Sequence, residues 1–277
     1  MKPHALVLVA DGAYLDHARS LFVNCAKQGN WQGDFVLICP GGCNTFSIEN
    51  RGITILRAPE KSWTNRIKFR IFDDWLRVWQ FVLYLDCDAL VQKNLNTILS
   101  VLYDQPDKIF FDGSQKTTIM DDWLHFCKKE GVDPQEQKDT FLRLEQQYSS
   151  IIHKRIFVSS AVLFSPQRVP KGTVVCMNDI QDRFCKINPG EYDQQVMNLA
   201  LYDRLAPLPK WCVTWFAFDE ADNPSVVSHY WGMYAPWIEK IEGAGGYYNN
   251  PLGKTCYQAY VQHRNAFASV FPKKENT

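Results

Sequence analysis

No stretch of this 277-residue sequence approaches the ~20 consecutive apolar residues that a membrane-spanning helix requires. Net charge is missing as well. Lys and Arg number 30 and Asp and Glu number 30, so no broad field draws the chain to a polyanion, and nucleic acid is not an expected partner. A local basic patch and a peripheral membrane contact both stay compatible with that balance. Also absent are internal repeats, low-complexity segments and any Cys/His pair spaced to complete a zinc site with Cys39 and Cys43. The opening Met1-Lys2-Pro3-His4 leads at once into an apolar stretch that Asp11 ends, too short for a secretory core with its cleavage region. The expectation is a cytoplasmic protein whose nine cysteines stay reduced.

What is present is an ordinary globular composition, 46% hydrophobic and 22% charged, which suffices for a core closed on both sides. Residues 5–10 read as a buried parallel strand because they are apolar on both faces. Residues 14–27 turn helical, and further strands are expected at 35–39 and 53–56. A helix is expected over 68–78, with Phe69, Phe72, Leu76 and Trp79 on its apolar side. The strand 81–85 follows. Later segments read as a helix at 95–103, a strand at 108–111, a polar helical excursion over about 118–147, and strands at 156–158 and 161–164. A helix over 192–201, a Trp- and Phe-rich strand at 211–218 and a terminal helix from 255 complete the series. Strands alternating with helices at this spacing predict an α/β/α sandwich with a mostly parallel central sheet and a helical insertion.

The strand Phe81-Val82-Leu83-Tyr84-Leu85 runs straight into Asp86-Cys87-Asp88. Two carboxylates at i and i+2 of a continuing strand point the same way, and the carboxyl ends of parallel strands are where open α/β sheets place ligands. Converging carboxylates repel each other unless they share a cation. Mn2+ or Mg2+ takes such oxygen ligands and keeps positions for diphosphate oxygens. A strand feeding Asp-x-Asp also suits a haloacid-dehalogenase-like phosphatase, with Asp86 as nucleophile and Asp88 as acid/base. Against that reading stand Leu90, two places beyond the second Asp, and the 85 residues that precede the motif.

The segment from Val82 to Val91 resembles the Leu-Tyr-Leu-Asp-x-Asp segment of glycosyltransferase family 8 and its GT-A-fold relatives. Four further places agree in order: Ala10-Asp11-Gly12-Ala13-Tyr14, Lys68, Asp193-Gln194 with Asn198, and the run His229-Tyr230-Trp231-Gly232-Met233-Tyr234-Ala235-Pro236-Trp237. The resemblance covers roughly residues 5–237 and implies a GT-A-type Rossmann-like domain over 1–271. Its nucleotide-binding part would be 1–115, its helical excursion 116–155 and its sugar and acceptor part 156–271, with a frayed tail at 272–277.

The same resemblance implies a UDP-sugar donor, a divalent cation and a glycan or other hydroxyl-bearing acceptor. Asp86, Asp88 and His229 would hold the metal. Asp11 would meet the uracil edge and Tyr14 its face, with Lys68, Asp86 and Gly232 also on the donor. Asp193 and Gln194 would contact the transferred sugar, with Gln194 beside the anomeric carbon, and Asn198 would support the loop. Transfer with retention is implied; for inversion, Asp112 or Glu191 would be the candidate general base. Asp11 also fits as a cap for the following helix. Two departures stand out. Ala235 replaces a lysine that binds diphosphate, and Val158-Ser159-Ser160 stands where Asn-x-Gly is usual. They motivate a second reading, a nucleotide-sugar-binding protein of the same fold with weakened turnover.

Overall fold

The computed structural model describes residues 2–12, 14–62, 64–129, 131–184, 192–215, 225–230 and 251–273. Strand β1 (Lys2–Val9) is the axis of the molecule. Its alternation sorts Ala5, Val7 and Val9 onto one face and Leu6 and Leu8 onto the other, and all are buried. A strand apolar on both faces is stable only when helices cover both, and the chain provides them.

Strands β2 (Asp34–Pro40), β3 (Ile53–Ala58) and β4 (Trp79–Leu85) join β1 in parallel, in the order β3-β2-β1-β4. The short strand β5 (Ala89–Val91) leaves this sheet. Helix α1 (Leu15–Lys27) covers one face of it, and α2 (Asn65–Phe69) contributes Ile67 and Phe69 to the other. Helix α3 (Ser100–Asp104) leads to β6 (Ile109–Phe111).

The helical excursion is a hairpin with two helices at its tip. Strand β7 (Ser114–Thr118) pairs antiparallel with β8 (Arg155–Phe157), and between them lie α4 (Ile119–Lys129) and α5 (Pro134–Tyr148). Asp133 starts α5 by accepting the backbone N–H of Gln135 at 2.8 Å, with Pro134 at the first position. Strand β9 (Ala161–Phe164) then returns to the main sheet, antiparallel to both β4 and β6.

Helices α6 (Thr173–Phe184) and α7 (Asp193–Leu201) pack on the same face as α2, and β10 (Leu205–Pro207) closes the sheet beside β6. The full order is β10-β6-β9-β4-β1-β2-β3, mostly parallel. Strands β11 (Val213–Trp215) and β12 (Val227–His229) form a second small sheet with β5. Helix α8 (Pro251–Val270) lies along α1, where Ser20 Oγ donates to the Tyr260 carbonyl at 3.0 Å and the Arg19 guanidinium sits 4.8 Å over the Phe267 ring. Among the described residues no helix is long and apolar enough to cross a membrane, and no disulfide joins the described cysteines.

The α/β architecture and its mostly parallel sheet follow the sequence expectation, with two local corrections. The helix expected over 68–78 is not continuous. It is α2 followed by two 3-10 turns, separated by an extended Asp73 (φ −73°, ψ 153°) whose carboxylate accepts from Arg70 at 2.9 Å. The apolar periodicity was real, since Phe69, Phe72, Leu76 and Trp79 are all buried, but the extended Asp73 and the start of β4 at Trp79 interrupt the helix. The strand expected at 156–158 exists as β8 but pairs with β7, outside the main sheet.

Candidate active site

Strand β4 ends at Leu85, and Asp86 already sits in a turn. Its backbone N–H donates to the Ser160 carbonyl at 2.8 Å, and its carbonyl accepts from Ala89 at 3.2 Å. The two Asp side chains therefore do not converge by continuing strand periodicity, as the sequence suggested. They converge because the chain turns through 86–88 and leaves along β5.

Strand β5 is pinned on both sides. The buried Asn24 of α1 acts as a strand mimic: its amide donates to the Val91 carbonyl at 3.1 Å, and its oxygen accepts the Val91 N–H at 2.6 Å. On the other edge β12 pairs antiparallel, with His229 opposite Ala89, and the Tyr230 N–H donates to the Asp88 carbonyl at 3.0 Å. This register delivers His229, distant by 141 positions in the chain, to the acidic turn. Its Nε2 lies 2.9 Å from Asp88 Oδ1 and 4.0 Å from Asp86 Oδ2.

One ligand atom from each of Asp86, Asp88 and His229 lies within 4.8 Å of the others, the one such cluster found among the described residues. Two carboxylate oxygens and one imidazole nitrogen are a donor set that could hold a divalent cation. The electrostatics fit as well. Burial pushes the Asp86 carboxyl up, against the pull of Lys68, and the neighbouring Asp88 pushes it further. Burial opposes charge on His229, but Asp88 and Asp86 outweigh it and hold its pKa above the usual histidine range. Two carboxylates in conflict at a buried imidazole are what a shared cation relieves.

Lys68 of α2 reaches the site from the opposite side. Its ammonium stands 3.1 Å from Asp86 and 2.8 Å from Asp193, the first residue of α7, with 11% of the side chain exposed. Burial works against its charge, yet Asp193 and Asp86 raise its pKa well above the usual lysine range. The Tyr84 hydroxyl donates to the Asp86 carboxylate, and Ser159 Oγ donates to Asp193 at 3.3 Å. Asn198 does not face the site. Its carboxamide bonds the backbone N–H and carbonyl of Phe157, at 2.8 and 2.7 Å, and so ties α7 to β8.

Asp11 accepts the backbone N–H of Tyr14 at 3.2 Å, which makes it a brace for the start of α1. Tyr14 is 45% exposed, and its ring meets that of His17 in an edge-to-face contact with centroids 5.5 Å apart. Asp112 is buried and accepts from Ser160 Oγ. The structure thus brings Lys68, Asp86, Asp88, Asp193 and His229 together, with Asp11 and Tyr14 at the head of α1. Gly232, Ala235, Glu191 and Ala13 lie outside the described residues. Sequence reading missed Tyr84, Ser159 and Asn24. Tyr84 was legible as a polar tip two residues before Asp86, near the end of β4, while the other two carry no sequence signal of their partners.

No protein-family model matches the sequence, and no curated protein does. Solved structures do. The galactosyltransferase LgtC, in complex with donor and acceptor sugar analogs, aligns with a TM-score of 0.59 at 14% identity, over 93% of this chain and 95% of that one. The glycosyltransferase GlyE of Streptococcus pneumoniae TIGR4 gives 0.59 at 15% identity, over 100% of this chain and 66% of its own. The bifunctional glycosyltransferase WbbM gives 0.60 at 12% identity, and this chain spans 52% of its length. The sheet order, the acidic turn after β4 and these superpositions agree: the protein has the fold of GT-A glycosyltransferases.

Proposed function

We propose that the protein is a metal-dependent glycosyltransferase that moves a hexose from a UDP-sugar to a hydroxyl of a glycan or other acceptor, with retention of configuration. The observation that carries this reading is the meeting of Asp86, Asp88 and His229 on one side of Lys68 and Asp193 on the other. A divalent ion held by the first three would neutralise the charge of a diphosphate leaving group. Mn2+ suits the mixed donor set better than Mg2+.

The chain's own residues supply the rest. The Tyr14 ring would stack on the uracil, and Asp11 would accept from its N3–H. Together with β1 to β5 this makes the 1–115 part the nucleotide half. Gly232 would let backbone approach the phosphates. Lys68 offers a positive charge beside the sugar, and Asp193 takes sugar hydroxyls. Gln194, next along α7, would face the anomeric carbon as it gains oxocarbenium character, its carbonyl dipole stabilising that charge. The 116–155 excursion and the 156–271 part would frame the acceptor. Asp86 engaged by Lys68 and Tyr84 argues against its use as a phosphatase nucleophile.

Titration calorimetry with Mn2+ and UDP tests the donor site, and Asp88→Asn tests its metal. Wild-type protein should bind UDP only with Mn2+ present. The variant should keep its melting temperature and lose Mn2+-dependent UDP release by about 100-fold or more. A variant that turns over at the wild-type rate would exclude Asp88 as a ligand. Mn2+-dependent UDP binding without release of UDP from any UDP-hexose would instead support the binding-protein reading that Ala235 and Val158-Ser159-Ser160 motivate.

A further inference from the structure

Helix α1 and its N-cap Tyr14 place three side chains at three-residue spacing, Tyr14, His17 and Ser20, and residues so spaced fall on one side of a helix. Two of them grip opposite ends of one residue of α8. Ser20 Oγ donates to the Tyr260 backbone carbonyl at 3.0 Å, while His17 Nδ1 lies 2.9 Å from the Tyr260 hydroxyl. Since Ser20 stands almost a full turn further along α1 than His17, the Tyr260 side chain runs back toward the head of α1. Tyr260 is buried, and a buried tyrosine hydroxyl needs a polar partner, which His17 provides. The next contact is aromatic. The His17 and Tyr14 rings meet edge to face, with centroids 5.5 Å apart and planes at 71°, and the Tyr260 ring lies 5.6 Å from that of His17. A relay of three rings thus joins α8 to Tyr14.

A side chain that is 45% exposed has more than one staggered χ1 well within reach. A partner that stacks on such a ring must first select one well, and the selection costs affinity unless the protein has already made it. The edge-to-face contact with His17 favours one orientation of Tyr14, because aromatic pairs prefer that geometry. The bond to Tyr260 does the same for His17, whose ring plane it fixes. Burial lowers the His17 pKa to about 4, so at neutral pH the ring is uncharged, with one N–H and one acceptor nitrogen. A hydroxyl can pair with either, so the bond to Tyr260 holds in both tautomers. We propose that His17 and Tyr260 are positioning residues for Tyr14: they hold its ring in the orientation that receives the nucleobase of the donor. The inference rests on the reading above that Tyr14 stacks on the uracil. It gives α8 a part in base recognition. Binding of Mn2+ and the diphosphate, assigned above to Asp86, Asp88, His229 and Lys68, does not pass through this relay.

The test compares two ligands on the intact chain by calorimetry with Mn2+ present: UDP, and inorganic pyrophosphate, which has the diphosphate without the base. Tyr260→Phe keeps the ring and deletes the hydroxyl, and His17→Ala deletes the contact with Tyr14. Each should weaken UDP binding by about 3- to 10-fold and leave pyrophosphate binding at the wild-type value. Steady-state UDP release from UDP-galactose and UDP-glucose should show the same factor in KM with kcat unchanged, the signature of lost uniform binding. In a Tyr14→Ala, Tyr260→Phe double variant UDP affinity should match that of Tyr14→Ala alone, because a residue that acts through Tyr14 has nothing left to act on. Unchanged UDP affinity in either single variant, or additive losses in the double variant, would overturn the assignment. So would an equal loss for UDP and pyrophosphate together with a lower melting temperature, which is what a purely structural tie between α1 and α8 predicts. The reading beneath it is tested separately. Wild-type protein that binds UDP no more tightly than pyrophosphate, or Tyr14→Ala that binds UDP as wild type does, removes the stacking assignment and the inference with it.

Discussion

Replacing Lys68 with Met should destabilise the fold and tighten Mn2+ binding at the same time. The ammonium lies 3.1 Å from Asp86 and 2.8 Å from Asp193, with 11% of its side chain exposed. Each contact has a Coulomb energy on the order of 5 kcal/mol at an effective dielectric of about 20, most of it offset by the desolvation of the three charges. Removing one member of a buried pair costs about 3–5 kcal/mol, because the partner charges stay behind. Here Asp86 and Asp193 keep 26% and 22% side-chain exposure, so water recovers part of the loss. A cost of about 2–3 kcal/mol follows, or a fall in Tm of roughly 5–10 °C for a chain of this size. Met preserves the apolar stem that lies along the Tyr84 ring, where the ammonium sits 5.5 Å from the centroid. The metal effect has the opposite sign. Without a neighbouring cation Asp86 interacts more strongly with an incoming ion, by about tenfold in affinity, or ~1.4 kcal/mol. Thermal melts and urea titrations without metal, followed by Mn2+ calorimetry, read both quantities. A variant as stable as wild type, or one that binds Mn2+ more weakly, would refute the reasoning that the lysine and the ion act on one carboxylate.

Asn24→Ala removes both bonds that tie α1 to Val91 and leaves a buried N–H and carbonyl short of partners. Urea unfolding should show a loss of about 2–4 kcal/mol, and Mn2+ affinity should fall because β5 no longer holds the acidic turn. His17 gives a pH signature. Burial lowers its pKa to about 4 from the ordinary 6.5, against a smaller upward pull from Asp16. Between those two values the unfolded chain takes up a proton that the folded chain declines. Stability is therefore complete above 6.5 and falls as pH drops through that window. His17→Gln should flatten this decline, read as the urea midpoint at neutral pH and at about pH 5; an equally steep decline in the variant would remove His17 as its source.

Parts of the site were legible because the chemistry was local. Asp86 and Asp88 end a strand whose burial is written in its composition, and Tyr14 and Asp193 stand where helices begin. The error in the Asp-x-Asp geometry was also local. A two-residue period predicts convergence by strand pleat, whereas the convergence comes from a turn and from β12 on its far side. The helix over 68–78 failed for a similar reason, since apolar spacing survives in a chain of short turns when one residue, here Asp73, turns extended. Ser159 was visible only as a departure from a family pattern, and the structure shows it donating to Asp193.

By itself the sequence determined the alternation of strand and helix, the two-sided burial of β1 and β4, and the acidic residues that follow β4, because each depends on neighbours in the chain. Only the tertiary structure decided which distant groups answer that turn. His229 arrives through the register of β12 on β5, and Lys68 through the packing of α2. Each of these depends on a pairing across tens of residues, and the energy that selects it is burial of whole faces. A local pattern encodes that a face is apolar. It does not encode which face it will meet.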